Sequence, residues 1–273
     1  MKYFKNIFFI AFAVVSLTSC EDIIELDLEN AEPKIVIDAT VDATTQTALV
    51  ILTKSNGFYD DINLDFVNDA TVNLTLADGS NVNLPMVQDG IYGTFGLNIS
   101  EGDDLILTVI DVENNEYKAT ETVPHDIAID SLQIIPTDNA GPGSSGPFGG
   151  GDVQYYQIFT HWQDVENEES FYRIRASVND TLQTSLITLS DDINRNGDVF
   201  SQPVFQTFEE GDTVTIQLLS LDEGSFRYFS DLSNVQGQGF NSTTPYNPKS
   251  NFDNEALGYF SVFRKAEKTV ILP

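Results

Sequence analysis

The chain has 273 residues, enough for one large or two modest domains, and sets 13 basic against 42 acidic side chains for a formal charge of −29. Such a surface repels phosphate backbones, which excludes nucleic acid as a partner, and it draws no help from an anionic lipid surface. Chains this acidic tend towards disorder, but 41% hydrophobic and 11% aromatic residues supply a sizeable core, and a single cysteine rules out any disulfide within the chain.

Lys2 and Lys5 precede an apolar run from Ile7 to Val15, and Leu17-Thr18-Ser19-Cys20 follows it. A basic start, an apolar middle and small residues before a cut make a secretory leader. The apolar run is shorter than the roughly 20 residues a spanning helix needs. Leu-Thr-Ser-Cys resembles the bacterial lipobox, whose cysteine is diacylated and becomes the new N-terminus. On that reading residues 1–19 are a signal peptide and Cys20 carries the lipid. The competing reading is an ordinary secretory signal with a cysteine beyond the cut. Each buried CH₂ of an acyl chain contributes about 0.8 kcal/mol, so several chains on one cysteine hold a domain to a membrane almost permanently.

Residues 20–33 read as an acidic tether, with Ile23, Ile24, Leu26 and Leu28 among Glu21, Asp22, Glu25, Asp27 and Glu29. Those hydrophobics could dock on the first domain as an edge strand. Acids directly after a lipidated cysteine also resemble the surface-export signal of Bacteroidetes-type lipoproteins, so the membrane face stays open.

From Lys34 the pattern is β. Thr71 to Leu76 alternates cleanly, with Val72, Leu74 and Leu76 on one face; this period of two marks a half-buried strand. Asp78-Gly79 predicts a hairpin turn, and turns at Gln88-Asp89-Gly90, Glu101–Asp104 and Glu113–Glu116 separate further short strands. Residues 34–124 are therefore expected to form an immunoglobulin-like sandwich, similar to the carboxypeptidase-regulatory type of module. Residues 125–273 are expected to form a larger β-rich domain, sandwich or barrel, with one helix. Its strands include Val153–Trp162, Phe171–Val178 and Thr213–Leu221, with two more over Leu257–Arg264 and Thr269–Leu272. Phe226, Phe229 and Leu232 recur at helical spacing, and Gly237 can end that helix. The glycine-rich stretch from Gly141 to Gly151 lacks the lysine and following helix of a phosphate loop and reads as an insertion. The fold class is thus mostly all-β.

Several landmarks occur in order: Cys20-Glu-Asp-Ile-Ile-Glu-Leu-Asp-Leu with Glu32-Pro33-Lys34-Ile35-Val36; Val123-Pro124 leading to Ile129-Asp130-Ser131-Leu132; Phe171-Tyr172-Arg173; Phe226-Arg227-Tyr228-Phe229; and Asn254-Glu-Ala-Leu-Gly-Tyr-Phe260. Together they resemble the DUF4249 family of Bacteroidetes lipoproteins. The resemblance implies a cell-envelope protein of the outer membrane, an accessory of a TonB-dependent receptor, and it brings no catalytic residues.

Enzyme signatures are mostly absent: there is no His-Glu-x-x-His, no Gly-x-Ser-x-Gly and no free cysteine nucleophile. His125 and His161 have no partner at diagnostic spacing and read as packed or solvated. Asp192, Asn194, Asn196, Gly197 and Asp198 match the first half of a calcium loop, but Pro203 stands where the bidentate glutamate belongs; an acidic hairpin turn is the stronger reading. Calcium aside, no cofactor is expected. Trp162 falls in a core strand, so Tyr246 and Tyr59, in polar loops, are the candidates for stacking on a ligand such as a glycan. Asp130-Ser131-Leu132, Asp180-Thr181-Leu182 and Asp212-Thr213-Val214 resemble the Bacteroidetes O-glycosylation triplet. The expected function is non-enzymatic accessory or scaffold work; capture of a glycan, peptide or metal complex for uptake is the alternative.

Overall fold

Alternating apolar residues set out the strands of two β-sandwiches. The computed structural model describes residues 33–56, 64–138, 154–193, 195–237 and 246–273, apart from the side chains of residues 185 and 186. The leader, Cys20, the tether up to residue 32, Tyr59, the glycine-rich insertion and Asn194 lie outside the described residues.

In the first sandwich, one sheet contains β1 (Ile35–Asp42), β2 (Thr47–Lys54), β3 (Asp65–Phe66), β6 (Met86–Gln88) and β7 (Ile91–Phe95). The other has the order β5 (Asn81–Asn83), β4 (Thr71–Thr75), β8 (Asp104–Ile110), β9 (Glu116–Thr122). Alternation turns Ile37, Val50 and Leu52 of the first sheet onto Val72, Leu74, Leu105 and Leu107 of the second, each no more than 1% exposed. The predicted turn forms at Gly79, whose φ of +81° suits glycine.

In the second sandwich, β13 (Thr181–Asp191), β12 (Phe171–Val178) and β16 (Thr213–Leu221) lie side by side. They face β10 (Ser131–Thr137), β11 (Tyr155–Gln163), β14 (Val199–Pro203) and β15 (Phe208–Glu209). Trp162 is fully buried, stacked on Phe200 at 4.8 Å and edge-on to Tyr172 at 5.3 Å. Such aromatic contacts add roughly 0.5–1.5 kcal/mol each beyond burial.

The end of the chain departs from expectation. The two short strands are one, β17 (Leu257–Ile271), without a break at Lys265-Ala266-Glu267-Lys268. Its first part, Leu257–Phe263, runs parallel to β1, and its second part, Phe263–Ile271, runs antiparallel to β16. Phe263 pairs with both neighbours. Backbone pairing continues through the charged segment because its side chains find partners on the outer face: Lys265 Nζ lies 3.1 Å from Asp42 and 3.3 Å from Glu267. β17 thereby fuses sheets of both sandwiches into one nine-stranded sheet, β13-β12-β16-β17-β1-β2-β7-β6, with β3 on β2. The two apolar cores fall largely on either side of residue 124, yet β17 and its flanks feed both. Phe260 and Val262 join the first core, and Leu272 joins the second. All described residues belong to one compact unit.

The helix α1 (Glu223–Val235) is capped by Asp222, whose side chain accepts the Ser225 N–H. It packs on the outer face of the fused sheet, where Phe226, Phe229 and Leu232 meet Phe171, Leu219 and Leu221. Burying Phe229 contributes about 1.5–3 kcal/mol. Among the described residues no helix is long and apolar enough to cross a membrane.

Candidate functional site

The loop read as half of a calcium site is knitted to a neighbouring turn. Asp192 is buried, and its carbonyl accepts the Arg195 N–H at 2.7 Å. Asn196 Oδ1 accepts the Asn167 N–H at 2.7 Å, and Asn196 Nδ2 donates to the Glu168 carbonyl. Gly197, at φ +77°, donates its N–H to Asp164 Oδ2 at 2.8 Å. The Asp198 N–H closes the turn on the Arg195 carbonyl at 2.9 Å. Among the described residues no three or more His, Cys, Asp or Glu side chains converge as a metal would require.

Beneath that loop is a polar network that local sequence did not announce. Buried Asp164 accepts the Tyr172 hydroxyl on Oδ1 and the Gly197 N–H on Oδ2. Burial, then the hydrogen bond to Asp164, pushes the Tyr172 phenol well above its ordinary value. His125 Nε2 lies 3.4 Å from both Tyr172 Oη and Ser220 Oγ, and Nδ1 lies 3.8 Å from Glu168. His125 is therefore packed inside the fold. His161 sits in β11 opposite Ser131 and Ser201, on neighbouring strands.

Tyr246 is 42% exposed and donates its hydroxyl to Asp231 Oδ1 at 3.3 Å, on the helix. Near it a cleft of about 520 Å³ is lined by Phe226, Arg227, Asp231, Lys249 and Asn251. A second cleft, about 410 Å³, lies on the first sandwich beside Lys34, Lys54, Asp69, Asp111, Tyr117 and Glu255. Of the two tyrosines proposed from sequence, the structure thus places Tyr246 beside a concavity. Trp162, in the core, offers no sugar platform.

A carboxyl pair formed by residues far apart in sequence is strongly perturbed. Asp222 accepts Ser225 N and Ser225 Oγ at 2.6 Å each and Val262 N at 2.8 Å. Glu121, on β9, accepts Asn251 Nδ2 at 2.6 Å. Burial raises the Asp222 carboxyl as well, but its three short donors pull it back down, which leaves Glu121 as the protonated member of the pair. Burial, then the negative charge of Asp222, pushes the Glu121 carboxyl up to about 8. The pair clamps β9 of the first sandwich to the start of α1 and to β17. No local signal marked Glu121; Asp222, three residues before Ser225 and ahead of the aromatic helix, carried a recognisable cap pattern.

The sequence matches the model of DUF4249, a domain of unknown function, over residues 21–269. The chain belongs to the DUF4249 family. No curated protein matches the DUF4249 chain. Among solved structures it is similar to a two-domain fibronectin type III segment of chicken tenascin, at 10% identity and TM-score 0.24, covering 88% of this chain and 98% of that one. It is also similar to the FN1–FN3 domains of chicken CNTN1, at 10% identity and TM-score 0.26, covering 89% and 67%. A third is a DUF3823 family protein from Bacteroides uniformis, at 10% identity and TM-score 0.29, covering 88% and 100%. These likenesses are weak, and the fold of the DUF4249 chain rests on its own strand pairing.

Proposed function

We propose that this protein is a non-enzymatic lipoprotein of the outer membrane, anchored through Cys20, that works by protein–protein contact as an accessory of a TonB-dependent receptor. The observation that carries the reading is the fused nine-stranded sheet, which joins the described residues of both sandwiches into one platform rather than beads on a string. Support comes from the lipobox-like Leu17-Thr18-Ser19-Cys20 and from the family match, which begins at residue 21, directly after that cysteine. A platform that displays large β faces on a lipid tether is suited to holding a partner at the membrane.

Capture of the tagged, lipidated protein from its own outer membrane tests this, with bound proteins identified by mass spectrometry. A TonB-dependent receptor recovered at near-equal amount is the expected result. Recovery of the protein alone, or catalytic turnover lost on one point substitution, would overturn it. Cys20→Ala should move the protein from membrane to soluble fraction; retention in the membrane would refute the anchor. The cleft beside Tyr246 favours the second reading, capture of a small glycan, peptide or metal complex, for which Tyr246→Ala should weaken saturable binding.

A further inference from the structure

We propose that Arg173 and Arg175 form a binding site for an oxyanion group (carboxylate, sulfate or phosphate) on the outer face of the fused sheet. The two residues alternate with Tyr172, Ile174 and Ala176 along β12, so when those three turn into the core both arginines turn outward on one face. The Arg173 guanidinium carbon lies 4.0 Å over the ring centre of Phe229. Tyr259 packs 4.8 Å from Tyr228 and 4.9 Å from Phe229, building an aromatic wall beside the pair.

What the arginines lack is a direct ion pair: Asp38 acts on Arg173, and Glu267 and Asp42 act on Arg175, only from beyond salt-bridge distance. Arg173 Nε is buried with no hydrogen-bond partner, and among the described residues no carboxylate lies within 4.0 Å of either guanidinium. This is not for want of acids in a chain that has 42. The neighbouring ones are already engaged. Asp42 and Glu267 share Lys265, Gln217 Nε2 donates to Glu267 at 2.8 Å, and Tyr259 engages Asp38. Burial, then the charge of Arg175, draws the Arg173 guanidinium down to about 10, and burial draws Arg175 down as well. Both remain cations at neutral pH. An unpaired, half-buried guanidinium is costly, and its planar fork matches two oxygens of an anion. An oxyanion between the two forks would complete the hydrogen bonds that the protein itself leaves open, while an attached ring could rest on Tyr228 and Tyr259. The site stands independently of the receptor-accessory reading.

The test is titration of the full chain with sodium sulfate, phosphate, acetate and benzoate against chloride at matched ionic strength, followed by calorimetry and by the Arg Nε–Hε resonances. Saturable binding of at least one oxyanion that shifts the Arg173 and Arg175 resonances is expected. Preference for sulfate or phosphate would assign a tetrahedral group, and benzoate over acetate would assign a ring-bearing carboxylate. Arg175→Met should weaken binding at least tenfold, whereas Lys118→Met, an exposed cation on β9 outside both clefts, should not. Asp38→Asn removes a competing negative charge and should tighten binding severalfold, a gain that misfolding cannot imitate. A linear, non-saturating response shared by wild type and Arg175→Met is the general effect of excluded salts. That result would overturn the proposal, as would an unchanged affinity in Asp38→Asn together with unmoved arginine resonances.

Discussion

Replacing Glu121 by Gln should make the protein more stable at alkaline pH and hardly change it in acid. In the fold the Glu121 carboxyl is raised from 4.5 to about 8. Below about pH 4.5 both folded and unfolded chains hold this proton, and the site contributes no penalty. Between there and pH 8 the unfolded chain releases the proton while the folded chain keeps it, so stability falls as pH rises and the full penalty stands above 8. At about 1.36 kcal/mol per pH unit the upper bound is about 5 kcal/mol. Glu121 is only partly buried, and solvent screening reduces this to ~2–3 kcal/mol. Gln keeps an oxygen for Asn251 and gains an N–H for Asp222, without an ionisable proton. For a body of this size the advantage of Glu121→Gln should grow from near zero at pH 4.5 to roughly 5–10 °C in Tm at pH 9. Thermal melts by circular dichroism across that range measure it. Parallel Tm–pH curves for the two proteins would refute the shared-proton argument.

Gly258, at φ +95°, faces the Ile37 backbone across the parallel pair, and a Cβ there would lie 2.7 Å from the Ile37 carbonyl carbon. Gly258→Ala should therefore cost more than about 3 kcal/mol in urea unfolding; a loss under 1 kcal/mol would mean that β1 and β17 can part cheaply. Tyr172→Phe removes a donor from buried Asp164 and should cost about 1–3 kcal/mol at pH 7, read from the same titration. Calcium at millimolar concentration should leave Tm unchanged, because Asn196 is already committed to Asn167 and Glu168. A saturable upward shift would show that the 192–198 loop reorganises into a site.

Much of the fold could be read from alternation. Val72 and Leu74 in β4, and Tyr172, Ile174 and Ala176 in β12, point inward as their spacing implied, and Phe226, Phe229 and Leu232 place the helix. The fusion through β17 could not be read, because parallel pairing of Val36 with Leu257 leaves no turn signal between them. The lysines around Glu267 pointed to a break, since side-chain polarity says nothing about backbone pairing on an outer face. The Glu121–Asp222 pair was hidden for a different reason: with carboxylates scattered throughout, only three-dimensional proximity singles out two of them. Arg173 and Arg175 carried a weaker signal, two cations on the polar face of a strand in a chain poor in cations.

β17 also orders the sequence of events as the chain emerges from N- to C-terminus. β1 can pair with β2 at once, but its other edge waits for a strand 221 positions later. Until then the first sandwich presents a bare edge, the kind of surface that invites pairing with another chain, and the second lacks the strand that follows β16. Neither half can finish alone. Assembly should therefore be late and all at once, dominated by long-range contacts and slow for its size, with a holding chaperone most needed just before the last fifteen-residue strand arrives.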